Sequence, residues 1–236
     1  MRFLVISLLA TAPAMADEII PQGCSAFLTV QMANCTVSHY YTCEGEADGL
    51  RWRASMDRDG LRGRSQVDME YRWIYSTWRE GQQVFELVIP ETDPASVTEL
   101  LATSRDDFDF ERRYFEDGLF KGTIAVVGFD ELTGETAVID GEELLVTRFS
   151  NQNQIAGGYV LSEIAGQQYV HPEHRLFFGG TETHSDADGN TVYHNYAPVT
   201  FAHAGDDDFL ETTPQFGCDA MMSGLFEISE EREGVL

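Results

Sequence analysis

The sequence predicts a mainly β protein, built on a single antiparallel sheet that curls into a half-barrel and carries one or two short helices. A β-sandwich is the alternative way to cover the same apolar face. Three observations carry this expectation. Runs of strand length, rich in aromatic and branched residues, recur along the chain between turn clusters such as Asp57-Arg58-Asp59-Gly60 and Asp186–Asn190. From Val67 to Trp78 the residues alternate, with Met69, Tyr71, Trp73, Tyr75 and Thr77 on one face and Asp68, Glu70, Arg72 and Ser76 on the other. That is the period-two pattern of a strand with one buried face. Only Glu91–Thr103 joins helical spacing to a helix-start signal.

In chain order, residues 1–16 read as a secretory signal peptide: Arg2, an apolar run Phe3–Ala10, and the small-residue cleavage site Ala14-Met15-Ala16. The run is shorter than the roughly 20 residues that cross a bilayer, and no later run reaches that length. Ile20-Pro21-Gln22-Gly23 before Cys24 is a poor lipid-attachment signal. The expected mature chain is one β-rich domain, residues 17–236, with an acidic tail from about residue 229.

Four cysteines in an exported chain point to two disulfides, with free buried thiols as the alternative. If Thr36–Thr42 is a strand, Cys35 and Cys43 stand about 26 Å apart at ~3.3 Å per residue, too far to pair. Folding Cys24–Met32 back through a turn at Ala33-Asn34 sets Met32 against Cys35 and Cys24 against Cys43. The expected bridges are therefore Cys24–Cys43 and Cys35–Cys218. In this register Cys24 and Cys43 form a hydrogen-bonded pair, where the spacing is wide.

Leu50–Met56 alternates apolar residues with Arg and reads as a strand, and Leu61–Ser65 as its short return. Val67–Trp78 and Gln83–Ile89 form a hairpin through Arg79-Glu80-Gly81-Gln82. In Glu91–Thr103, Asp93 is the expected N-cap and Pro94 the first helical residue. Ser104–Asp117 fits either a strand or a helix. Leu119–Phe129 is a strand turned by Asp130–Gly134, and Glu135–Ile139 pairs with Leu144–Ser150. Gly157–Ile164 breaks at Gly166 and pairs with Gln167–Val170. Leu176–His184 and Thr191–Tyr196 form a hairpin; beyond Pro198 the chain turns irregular and acidic, with Met221–Ile228 as a last strand.

The formal charge of −25 repels phosphate backbones and anionic lipid heads, which argues against nucleic-acid partners. There is no Gly-x-Ser-x-Gly elbow, P-loop, dinucleotide fingerprint or Cys-x-x-Cys, and no cofactor is implied. With 40 acidic side chains, no particular carboxylate pair stands out as catalytic. His171-Pro172-Glu173-His174 places two metal-ligand types close together. His184 and His194 could join them only in the right register. A two-residue Asp188-Gly189 loop sets His184 against Tyr193, on the other face from His194, and a loop one residue longer sets it against His194. Surface or hydrogen-bonding histidines are the plainer reading. Asp186–Asn190 resembles the start of a calcium loop but has Thr191 and Ala197 where the loop needs glycine and glutamate, so it reads as a hairpin turn. Trp52, Trp73, Trp78, Tyr71, Tyr75 and Phe85 could line a cavity for an apolar ligand; the plainer reading is a packed core.

The signal peptide, the strand succession with an inserted helix, and Gly157–Gly180 (Gly-Gly-Tyr-Val … His-Pro-Glu-His-Arg-Leu-Phe-Phe-Gly-Gly) resemble uncharacterised exported proteins of Gram-negative bacteria. At fold level they are similar to the curled half-barrel of LolA-like periplasmic lipoprotein carriers, a lipocalin-like way of enclosing space. The resemblance implies architecture and carries no site residues. Three functions are consistent with all this. The first is a periplasmic or secreted non-enzymatic protein that binds a lipid or other apolar molecule, or an envelope protein. The others are a metal-dependent enzyme centred on His171 and His174, and an interaction module without a small ligand.

Overall fold

A computed structural model of the chain describes residues 19–155 and 158–219. The expected signal peptide, the Met221–Ile228 strand and the acidic tail lie outside the described residues. The described chain forms one antiparallel sheet of 13 strands and one α-helix. The strands are β1 (Cys24–Met32), β2 (Thr36–Cys43), β3 (Arg51–Asp57), β4 (Gly60–Val67), β5 (Trp73–Trp78), β6 (Gln83–Leu87), β7 (Arg105–Glu116), β8 (Leu119–Ile139), β9 (Glu142–Ile155), β10 (Tyr159–His171), β11 (Leu176–Asp186), β12 (Thr191–Asn195) and β13 (Pro198–His203), with α1 (Val97–Thr103) between β6 and β7. Strands β1 to β12 run as a meander, each hydrogen-bonded to the next, and β13 returns to the far edge beside β1.

That last connection requires a curled sheet. β12 and β13 occupy opposite edges, yet only Tyr196 and Ala197 link them. Three residue steps reach at most about 11 Å, so the sheet must roll until its edges meet there. The linker is held on both sides: Tyr196 N–H donates to Gly180 O (2.7 Å) and Ala33 N–H donates to Ala197 O (2.9 Å). No ladder joins β12 to β13, so the rolled sheet stays open along that seam.

The curl has local causes. A Cβ on Gly128 in β8 would lie 2.2 Å from Ser150 O, and one on Gly166 in β10 would lie 2.3 Å from Thr181 O. Only glycine lets the neighbouring strands bend in so closely. Bulges add twist where the register slips, between Gln66 and Val67, Leu132 and Thr136, and Gly166 and Gln168. Two sequence expectations break here. Gly134 turns no hairpin, because β8 bulges there and runs on to Ile139, and Gly166 lies within one continuous β10 that pairs with β9 and β11. In both places, residues typical of turns serve as bulges inside long strands.

The expected strand from Val67 onward also divides. Val67 closes β4, and β5 begins only at Trp73. Asp68 makes the turn between them, its carboxylate accepting N–H from Glu70 and Arg72, both at 3.0 Å, while Tyr71 adopts φ 62°. Ile74 is an extra residue, since Val67 pairs with Trp73 and Gln66 with Tyr75. This bulge puts Trp73 on the concave face and Tyr75 on the convex one, separating residues that the alternation placed together. The helix starts later than expected: Ser96, not Asp93, caps it, its hydroxyl accepting from Glu99 N–H (3.1 Å), while Asp93 bridges to Asp109. Ser104–Asp117 resolves as strand, in β7.

Both expected disulfides are present, Cys24–Cys43 and Cys35–Cys218. The register that joins the first differs in detail. Met32 pairs with Thr36, one residue further on than the two-residue turn allows, and a bulge at Phe27 restores the count before Cys24 meets Cys43. Glu44 N–H donates to Gly23 O, so Cys24 and Cys43 form the close, non-bonded pair, with Cα atoms 3.9 Å apart. From Pro198 to residue 219 the chain has a defined course: β13 pairs with β1, and residues 204–219 strap the convex face of β1 and β2. Gln31 binds this strap through Thr213 O (3.1 Å) and Gln215 N–H (3.0 Å), and Leu210 N–H donates to Thr29 Oγ1 (3.0 Å). The strap explains why Thr29, Gln31 and His39 are buried.

The main core forms where the two arms of the curl face each other. Leu28, Val30, Tyr40 and Phe201 on β1, β2 and β13 meet Leu144, Leu176 and Phe178 on β9 and β11. A second cluster seats Val97 and Leu100 of α1 on Val170 and Phe177. At about 25 cal/mol per Å² of buried apolar surface, such side chains contribute roughly 1.5–3 kcal/mol each.

Candidate functional site

The arms do not fill the space between them. A cavity of about 510 Å³ remains on the concave side, lined by β1–β5, by β7–β11 and by the residues entering α1. Its apolar wall is aromatic: Trp73, Trp78, Phe108, Phe110, Phe149 and Phe177. The β7 contribution follows from strand alternation, since Asp106, Phe108 and Phe110 all point inward. Trp73 packs edge-on against Phe110 (6.4 Å) and is 39% exposed. Arg112 lies 5.2 Å from its ring centre and donates to Ser76 Oγ (2.7 Å). Burial lowers the Arg112 pKa to about 10, which leaves it charged at neutral pH.

Of the six aromatic residues expected to line a cavity, Tyr71, Trp73 and Trp78 do so. Tyr71 reaches in from the β4–β5 turn and donates from its hydroxyl to Phe177 O (3.2 Å). Trp52 and Tyr75 do not: both stand on the convex face, where Trp52 stacks on Tyr41 (6.3 Å) and donates to the Glu46 carboxylate (3.0 Å). Phe85 lies beyond the cavity, stacked on Tyr114 (4.9 Å) beneath Arg112. Phe108, Phe110 and Phe149 take the places that the sequence reading gave to these three.

The cavity also holds polar groups. Arg53 projects from β3, hydrogen-bonds Tyr40 and lies 5.9 Å from the Trp78 ring centre. Asp106 on β7 and Asp130 on β8 are direct cross-strand partners, so two carboxylates line one wall side by side. Like charges directly opposite each other destabilise a sheet. Asp106 is 3% exposed; one oxygen accepts from Ser96 N–H (2.9 Å), and the other, Oδ1, is buried without a hydrogen-bond partner. Gln168 donates to Asp130 Oδ1. Burial first, and nearby acidic side chains second, raise the Asp106 pKa to about 6. Burial and the neighbouring Asp106 raise that of Asp130 to about 7. Glu70, also in the lining, is engaged elsewhere: it accepts from Ser96 Oγ (3.0 Å), Thr98 N–H (2.8 Å) and Arg175 (2.8 Å).

The four histidines expected as metal ligands form two separate pairs. His171 and His174 have ring centres 4.4 Å apart, and His184 and His194 are 4.5 Å apart. Neither expected hairpin register holds. His184 faces Val192, and His194 faces Glu182, which makes the two histidines diagonal neighbours on one face. His171 Nδ1 accepts from His174 N–H (3.2 Å), so its proton sits on Nε2 and is donated to Glu142 (3.0 Å). Glu142 also binds His203 Nε2 (2.7 Å), tying β9 and β10 to β13 near the seam. His184 Nε2 lies 2.6 Å from Glu182. Among the described residues, no group of three or more His, Cys, Asp or Glu side chains is arranged to hold a metal ion.

No protein-family model, curated protein or solved structure matches this chain. The cavity and its two carboxylates are therefore the features on which a functional reading rests. Among the described residues, no helix is long and apolar enough to cross a membrane.

Proposed function

We propose that this chain is an exported, non-enzymatic binding protein that carries an apolar ligand inside its curled sheet. The observation that carries the reading is the aromatic-walled cavity of about 510 Å³. Ligand pockets typically enclose roughly 300–1,000 Å³, lined by apolar and aromatic side chains with a few placed polar groups. An unfilled interior sacrifices packing energy that a folded chain otherwise collects, and ligand binding is a reason to forgo it. The two disulfides support an oxidising compartment such as the periplasm. The 13-strand sheet rolled about an open seam supports the carrier architecture that the sequence suggested.

The test is native mass spectrometry of the mature chain purified from a bacterial periplasm. The expected result is an adduct of small-molecule mass that is lost on denaturation, or saturable uptake of added 1-decanol by the bare protein. A bare polypeptide that takes up no decanol would overturn the reading.

A further inference from the structure

The cavity wall also indicates what kind of apolar molecule fits, an inference that rests on the binding role above. We propose that the ligand carries a protonated amine, which docks between Asp106 and Asp130 while its apolar body lies along Phe108, Phe110 and Phe149. Three observations converge on this. The two carboxylates are register partners on adjacent strands and face the same interior, a repulsive placement that a positive charge between them would relieve. Asp106, a residue of the cavity wall, is 3% exposed, and its buried Oδ1 has no hydrogen-bond partner among the described residues, so an acceptor at the wall lacks a donor. Most other charged groups of the lining have charged or hydrogen-bonding partners: Glu70 has Thr98 and Arg175, Glu182 has His184, and Arg62 has Asp57 at 3.5 Å, while the Arg53 guanidinium on β3 hydrogen-bonds the Tyr40 hydroxyl and keeps its charge. Among the described carboxylates of the lining, the pair Asp106 and Asp130 is the one without a cationic partner.

The aromatic residues sit correctly for the rest of such a molecule. Phe108 is two residues from Asp106 on the same face, and Phe149 is the β9 partner of Asp130. The ammonium and the first carbons of the ligand would thus meet carboxylate and ring on neighbouring strands. Gln168, already donating to Asp130, would fix that carboxylate from the side away from Asp106. The formal charge of −25 draws cations toward the protein. Burial raises the pKa of both acids, with repulsion from Asp106 adding to the shift of Asp130.

The test is calorimetric titration at pH 8 with three probes of equal chain length: decylamine, 1-decanol and decanoate. Decylamine is expected to bind about 10- to 100-fold more tightly than decanol, the factor that charge-assisted hydrogen bonds supply. In D106N/D130N this preference should disappear, and a cooperative urea transition shows that the variant is folded. Equal affinity of the wild-type protein for decylamine and decanol would overturn the amine proposal and leave the apolar carrier standing. So would a decylamine preference that survives in D106N/D130N. Failure of all three probes to bind would overturn both.

Discussion

Replacing Asp130 by Asn should stabilise the protein in alkaline solution and change little in acid. Burial and the neighbouring Asp106 raise the Asp130 pKa from 3.8 to about 7. Between those values the folded chain holds a proton that the unfolded chain releases. Wild-type stability therefore falls as pH rises from about 4 to about 7, then levels off. At 1.36 kcal/mol per unit the full shift is worth about 4 kcal/mol, and water in the cavity reduces this, so a gain of about 2–4 kcal/mol is expected for D130N at pH 8. Asn keeps the acceptor oxygen that Gln168 uses. His39 slopes the other way: burial lowers its pKa to about 4, so the stability of its neutral form is lost as pH falls from about 6.5 to 4. The absolute stability curve mixes these groups with Asp106, whose pKa, raised to about 6, slopes it the same way as Asp130, but the difference between variant and wild type reports the Asp130 carboxylate. Urea unfolding from pH 4 to pH 8 measures it. A gain independent of pH, or a loss at pH 8, would refute the account of the buried acid pair.

Two further outcomes follow from the fold. C35S/C218S opens a bridge of sequence separation 183, which chain-entropy arguments value at about 2–5 kcal/mol; hydrogen exchange should show the Leu210 and Gln215 amides losing protection in this variant and keeping it in C24S/C43S. G128A places a Cβ 2.2 Å from Ser150 O and should cost about 1–3 kcal/mol in urea unfolding, whereas an unchanged midpoint would mean that β8 and β9 need not approach so closely.

Much of the fold was legible because local chemistry and global structure agree. The cysteine spacing and the Asp57–Gly60 turn each point to an arrangement that appears in the structure, and Asp186–Asn190 reverses the chain as expected, although in neither of the two expected registers. Three of the errors share one physical cause. Turn residues and bulge residues look alike in sequence, so Gly134 and Gly166 read as chain reversals although each bends a long strand. The single extra residue Ile74 defeats alternation in the same way. It sends Tyr75 outward and Trp73 inward, and with that shift Tyr75 leaves the expected aromatic lining. β13 was missed because its pairing partner, β1, lies more than 160 residues away and leaves no local mark. Asp106 and Asp130 were hidden among 40 acids. The available signal was parity: Asp106 shares alternation with Phe108 and Phe110, and Asp130 with Val126, so each acid stands where an apolar side chain was due. Reading that parity required knowing that both segments are strands, and the sequence left the first ambiguous.

The most direct test of the internal binding site uses the three tryptophans of the chain, because Trp73 and Trp78 line the cavity and Trp52 lies on the opposite face. A decyl ligand brominated along its chain quenches only the indoles it reaches. Saturable partial quenching is expected in the wild type, nearly complete quenching in W52F, and none in W73F/W78F. An absence of saturable quenching, or quenching that disappears with Trp52, would contradict a ligand site inside the curled sheet.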